Sequence, residues 1–220
     1  MRVVRIEKSI CRRWIEKKHY RKTLGVFWEG FGLIINGMIE GVACYGQPSA
    51  PIQKHAFNER GFRLYELTRL VIQTDKKNAG SFLIANSLKM LKENPSAVIS
   101  YADSSMGHCG IIYQSTNWIY TGSTIAHDSL YLIDGEKVHP MTIKDRFGVT
   151  KIKEWADNNG IERIKPEPKH RYFYLLGNKR EKRIMIKKMK YKIIKEYPKS
   201  NKTLYDAGDK IIEPIEEYLF

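Results

Sequence analysis

Residues 62–103 read FRLYELTRLVIQTDKKNAGSFLIANSLKMLKENPSAVISYAD, and their reading decides the fold. Phe62 to Ile72 alternates apolar and polar residues as a half-buried strand does. Asn78 precedes an apolar-periodic run and predicts a helix from Ala79 to about Lys92, stopped at Asn94-Pro95. Ala97 to Ala102 is a short, strongly apolar strand that runs into Asp103. The polar residues that follow therefore sit at a strand's C-terminal end, where ligand and catalytic groups collect in α/β sheets.

Upstream, Val3 to Ile6 reads as a strand, and Ser9 can cap a helix from Ile10 to about Tyr20 that buries Ile10, Trp14 and Ile15. Phe27 to Ile35 and Met38 to Tyr45 are apolar, aromatic runs joined by Asn36-Gly37, a strong hairpin signal. Gln47 to Gly61 is a polar loop. Downstream, Cys109 to Asn117 suits a short helix, and Trp118 to Ile133 one long strand or a hairpin around Gly122. Lys137 to Lys169 reads as an inserted segment in which Thr150 caps a helix to Asn159-Gly160. His170 to Leu176 is a last strand. The expectation is an α/β (α+β) chain: a mixed, mainly antiparallel sheet flanked by helices over residues 1–177, with a basic extension over 178–220.

The chain has 220 residues and a net charge of +14, ordinary hydrophobic and charged fractions of 42% and 28%, and no low-complexity tract. A buried core is expected and wholesale disorder is not. Charge interrupts the N-terminus and every apolar run, so neither a signal peptide nor a membrane span is predicted. Three cysteines without C-x-x-C spacing point to free thiols in a reducing, cytoplasmic setting. The charge is concentrated: Asn178 to Lys202 holds eleven Lys and Arg against Glu181 and Glu196, a net +9. Lys179, Arg180, Arg183, Lys187, Lys188 and Lys190, interleaved with Tyr191 and Tyr197, form the electrostatic footprint of nucleic-acid binding. The alternative is a solvated helix resting on Ile186, Met189 and Ile193.

The element order resembles the GNAT acyltransferase fold, in which the turn after the fourth strand binds cofactor pyrophosphate on backbone N–H groups. Asn78, Gly80 and Ser81 occupy that turn; Lys77, Gly80 and Phe82 match the GNAT phosphate loop in part, with Phe82 crowding a pantetheine-pyrophosphate. More specifically, Glu16-Lys17-Lys18-His19-Tyr20, Glu66-Leu67-Thr68-Arg69, and Ser100-Tyr101-Ala102-Asp103 running on to Gly110-Ile111-Ile112-Tyr113 resemble the Mom-type phage DNA-modification proteins. The resemblance implies a GNAT-like transferase that places a carbamoylmethyl (glycinamide) group on adenine N6 of double-stranded phage DNA in the host cytoplasm, an anti-restriction modification. It implies a donor of the activated-glycine or acyl-CoA type. The alternative from fold order alone is a conventional GNAT N-acyltransferase acting on a protein, tRNA or small-molecule amine. A third reading is a nucleic-acid-binding protein on a decayed GNAT scaffold.

The candidate catalytic residues are Asp103, Arg69, Tyr113, His19 and Tyr20. Asp103 is placed to orient the amine, or to take its proton if burial raises its pKa; otherwise it caps the turn after it. Arg69, read as alternating with Leu67 and Val71, is a candidate anion or carbonyl clamp, or else a structural partner of Glu66. Tyr113 is a candidate proton donor to a leaving group, or a packed ring with one hydrogen bond. His19 and Tyr20 match the His-Tyr pair of the resemblance, or mark an exposed helix end. His19, His108, Asp103 and Glu66 are ligand types for iron or zinc, though no H-x-x-H spacing accompanies them.

Overall fold

The computed structural model describes residues 1–57, 62–91, 95–124, 130–138, 140–199 and 211–212. The chain opens with β1 (Arg2–Ile6), α1 (Lys8–Lys18), β2 (Glu29–Ile35), β3 (Met38–Gly46), α2 (Ala50–His55), β4 (Arg63–Ile72), α3 (Ala79–Met90) and β5 (Ser96–Asp103). A 3-10 turn over Ser104–Met106 leads to α4 (Ile111–Gln114) and β6 (Ile119–Ser123). There follow β7 (Leu130–Ile133), β8 (Glu136–Val138), α5 (Pro140–Phe147), α6 (Ile152–Asn158), β9 (Arg163–Ile164), β10 (Lys169–Leu176) and α7 (Lys179–Lys188).

Seven strands make one sheet in the order β1-β2-β3-β4-β5-β10-β6, antiparallel throughout except for β4 against β5. The chain is thus the expected mixed α/β class. Asn36 and Gly37 both take positive φ, 52° and 76°, the conformation whose twist suits a two-residue hairpin between β2 and β3. Because side chains alternate across a strand, the sheet has two distinct faces. On one, α3 packs Leu83, Ile84 and Leu88 against Phe31, Leu33, Tyr45, Leu67, Val98, Trp118 and Tyr172. On the other, α1 lays Ile10, Trp14 and Ile15 over Val42, Cys44 and Val71. Farther along that second face, Met185 of α7 covers Ala97, Ile99 and Phe173.

The β4–β5 ladder runs only from Arg63 opposite Ser96 to Glu66 opposite Ile99. Beyond it β4 stays with β3 and β5 with β10, and Ser100 Oγ donates to the Leu67 carbonyl across the opening, 2.9 Å away. The β3–β4 register shifts where Tyr45 faces Leu67 and Cys44 faces Arg69. This bulge at Thr68 overturns the expected alternation: Leu67 belongs to the α3-side core, whereas Val71 lies in the α1-side core. Arg69 is thereby turned toward the loop that leaves α1, where it meets Thr23.

Local signals misled elsewhere too. Glu7, not Ser9, holds the N-cap of α1, Ser9 Oγ donating to the Glu7 carboxylate, and the helix stops at Lys18 with His19 extended. Asn78 sits at the N-cap of α3 in a left-handed conformation, φ 63°, without a side-chain cap bond. The 47–61 loop contains α2, begun by Pro51 in its first turn. Residues 118–133 are not one strand or one hairpin: β6 pairs β10 in the main sheet, while β7 pairs β8 and β9 in a second, three-stranded sheet. The second sheet begins at Leu130, ahead of the expected insert's start at Lys137, and it shares a core of Tyr131, Val138, Ile143 and Ala156 with α5 and α6. Within the insert α6 starts after Lys151, not Thr150.

A capping box between Asn178 and Glu181 fixes where α7 begins, and with it which side chain is buried. Met185 is that residue; Ile186 and Ile193, expected on the body, are 42% and 41% exposed. After α7 the chain crosses the β6 edge. Lys190 N–H donates to Ala56 O at 3.0 Å, Ile194 N–H to Tyr120 O at 2.9 Å, and Tyr197 Oη to Trp118 O at 2.8 Å. The strap covers backbone that an edge strand would otherwise leave open.

Candidate active site

On β5, Asp103 shares parity with Ala97, Ile99 and Tyr101, so it lies on the face that α1 and α7 cover. Its Oδ1 accepts from Ser105 Oγ at 2.6 Å and from Ser105 N–H at 3.2 Å. Its Oδ2 accepts from Tyr20 Oη at 3.2 Å and lies 3.7 Å from an Arg21 nitrogen and 3.6 Å from Lys169 Nζ. The end of α1, the end of β5 and the start of β10 thus meet on one carboxylate. Burial alone would raise the Asp103 pKa, but Ser105, Lys169 and Tyr20 outweigh it and hold the carboxyl below its ordinary range. Its pKa is not raised, and Asp103 is an ionised acceptor at neutral pH.

His19, 9% exposed, stacks on Tyr20 with ring centroids 4.4 Å apart. The Arg21 N–H donates to His19 Nδ1 at 3.1 Å, so Nδ1 carries the lone pair and the neutral ring keeps its proton on Nε2. Burial, reinforced by Arg69 and Arg21, lowers its pKa to about 3. Burial also raises Tyr20, which stays a protonated donor to Asp103. Arg69 donates from Nε to Thr23 O and from an Nη to Thr68 O, each at 2.7 Å, and so fixes the turn after α1.

Two groups outside the catalytic candidates complete the cluster. Burial lifts Glu66, on the last paired residue of β4 with β5, to about 7 against the opposing pull of Arg69, Lys169 and Arg21. Lys169 itself is lowered by burial and by Arg21. Glu66 stood in a motif the sequence singled out, but nothing local announced its burial. Lys169 comes to Asp103 only through the antiparallel pairing of β10 with β5.

Tyr113 occupies the opposite face. It is 8% exposed, its ring packs on Trp118 and Tyr172 at 5.0 and 5.2 Å, and its hydroxyl lies 2.8 Å from Ser100 Oγ. Burial raises it to about 12, with further contributions from Tyr20 and Glu66. Asn78 and Ser81 line a groove of about 680 Å³ with Lys77, Phe82, Asn117 and Tyr174, apart from Asp103. Gly80 turns away from that groove: a Cβ there would lie 2.3 Å from Ile112 Cδ1, so the glycine serves the approach of α3 to α4. Among the described residues no three His, Cys, Asp or Glu side chains converge to hold a metal ion, so His19, His108, Asp103 and Glu66 do not form a cage as they stand. Of the basic candidates, Lys179, Arg180, Arg183, Lys187 and Lys190 are exposed and Lys188 is half-buried. No described helix is long and apolar enough to cross a membrane.

Fold and site together define a mixed α/β protein with an ionic cluster at the mouth of a parallel-strand opening. The chain belongs to the Mom protein family, whose model matches residues 1–199. It is 28% identical over 216 residues to the methylcarbamoylase Mom of Escherichia phage Mu, covering 90% of this chain and 84% of that protein.

Proposed function

We propose that the protein is a GNAT-like DNA-modifying enzyme that transfers a carbamoylmethyl group to adenine N6 of duplex phage DNA in the host cytoplasm, protecting it from restriction. The observation that carries this reading is the meeting of Tyr20, Arg21 and Lys169 on Asp103, with His19 and Glu66 beside them, in a chain of the Mom family. The relative's activity as a methylcarbamoylase supplies the transferred group. The strand order, with its single parallel step, supports GNAT kinship.

In this reading the adenine is turned out of the duplex, as chemistry on a stacked base requires. Asp103, ionised and fixed by four neighbours, accepts a hydrogen bond from the N6 amine and orients it. The amine nitrogen attacks the methylene carbon of an activated glycinamide, and the bond from that carbon to its leaving group breaks. Glu66, with a pKa near neutrality, takes the amine proton and passes it to the departing leaving group. His19 directs its Nε2–H at the amide oxygen and, held neutral, neither gains nor loses a proton. Arg69 holds the turn that presents His19 and Tyr20. The donor enters by the groove beside Asn78 and Ser81. Lys179, Arg180, Arg183, Lys187 and Lys188 on α7, which packs on the same face as Asp103, and Lys190 just beyond it, contact phosphates.

The test is expression in bacterial cells followed by digestion of their DNA to nucleosides and mass spectrometry. The expected product is an adenine nucleoside heavier by one carbamoylmethyl group. Unmodified adenine, in cells that support modification by the phage Mu relative, would refute the reading.

A further inference from the structure

The inserted module has a core of its own, and one of its aromatic rings lies outside that core. Phe147, the last residue of α5, is 50% exposed and leans on Trp155 of α6, with centroids 5.2 Å apart and planes at 30°. Gly148, at φ 65°, turns the chain from α5 toward α6. Residues 144–153 carry Lys144, Arg146, Lys151 and Lys153 against Asp145, and all four cations are exposed. Lys151 reaches Glu154 at 3.1 Å in open solvent, a pairing that water weakens. An exposed ring flanked by cations offers a face for bases and charge for phosphates.

The module is rooted at the site. Ser104 Oγ donates to the Pro168 carbonyl, Thr124 N–H to Lys169 O at 2.8 Å, and Lys169 Nζ reaches Asp103. Four residues separate Ile164, at the end of β9, from Lys169, and five steps of chain put the end of that strand no farther than about 18 Å from the site's edge. One turn of duplex spans about 34 Å. The end of β9 therefore lies within one duplex turn of an adenine held in the cluster.

We infer that the α5–α6 turn is a second contact for duplex DNA, Phe147 stacking on a base near the extruded adenine while Lys144, Arg146 and Lys153 meet phosphates. The inference rests on the DNA-modifying reading and gives the insert a task that α7 does not perform.

The test uses the full chain and a fluorescent duplex carrying 2-aminopurine at an adenine position, titrated at several salt concentrations. Phe147→Ala should weaken binding about tenfold and lower the aminopurine signal without changing the salt slope. Lys144→Gln/Arg146→Gln/Lys153→Gln should reduce the slope of log affinity against log salt by about two to three. Unchanged unfolding transitions exclude a folding defect, since all four side chains are exposed. If the wild type binds and both variants match it in affinity, slope and signal, the inference falls and the DNA reading stands. A wild type without duplex affinity, under salt conditions where Mu Mom binds, overturns both.

Discussion

The two faces of the sheet at the β4–β5 opening are built from different materials. The α1 side gathers Asp103, Glu66, Arg69 and Lys169, whose pKa values are moved by burial and by neighbouring charges, Arg21 among them. The α3 side gathers Tyr113, Tyr172, Tyr120 and Trp118, rings 5.0–5.2 Å apart at each successive contact. Charge on one face needs a rigid support, because partly dehydrated ions hold their geometry only while the backbone beneath them does. The aromatic face supplies that support. Ser100, between the Leu67 carbonyl and the Tyr113 hydroxyl, links the two across the opening.

The largest expected effect lies on the ionic face. Asp103→Asn should cut formation of the modified nucleoside by about 10²–10⁴-fold, the range for a lost acid–base or orienting group, measured by mass spectrometry in cells. Retained activity would move the chemistry elsewhere. On the aromatic face the expected loss is in stability: Trp118→Ala, at a fully buried ring, should cost about 3–5 kcal/mol in urea unfolding. A cost below about 1 kcal/mol would show that this face is no support.

Glu66 gives the comparison a pH axis. Its folded pKa of about 7 exceeds its ordinary 4.5, so the folded protein keeps a proton that the unfolded chain has lost between those values. Its stabilising contribution is full below pH 4.5 and declines as pH rises through 7. Glu66→Gln should therefore gain on the wild type by roughly 1–3 kcal/mol over that window, as measured by unfolding at a series of pH values. A constant difference would deny Glu66 its burial. The smallest effect belongs to α7: Asn178→Ala removes the capping box and should cost about 1 kcal/mol.

Much of the fold was legible because its signals are local. Asn36-Gly37, the buried spacing of Ile10, Trp14 and Ile15, and the apolar run into Asp103 depend on neighbours in sequence. β6 and β7 are both strand-like, and no local feature says that they join different sheets. The site was legible in part. His19, Tyr20 and Asp103 stand in recognisable motifs and meet in space, whereas Tyr113 lies on the far face and Arg69 grips backbone.

By itself the sequence determined the α/β class, the hairpin, the concentration of positive charge and the motifs of the Mom family, since each is a matter of residue type and spacing. Tertiary structure alone decided that a bulge at Thr68 turns Arg69 toward α1, that β10 delivers Lys169 to Asp103, and that Glu66 is dehydrated to near-neutral pKa. Register, burial and field are sums over groups distant in the chain, and they take their values only when the strands have paired.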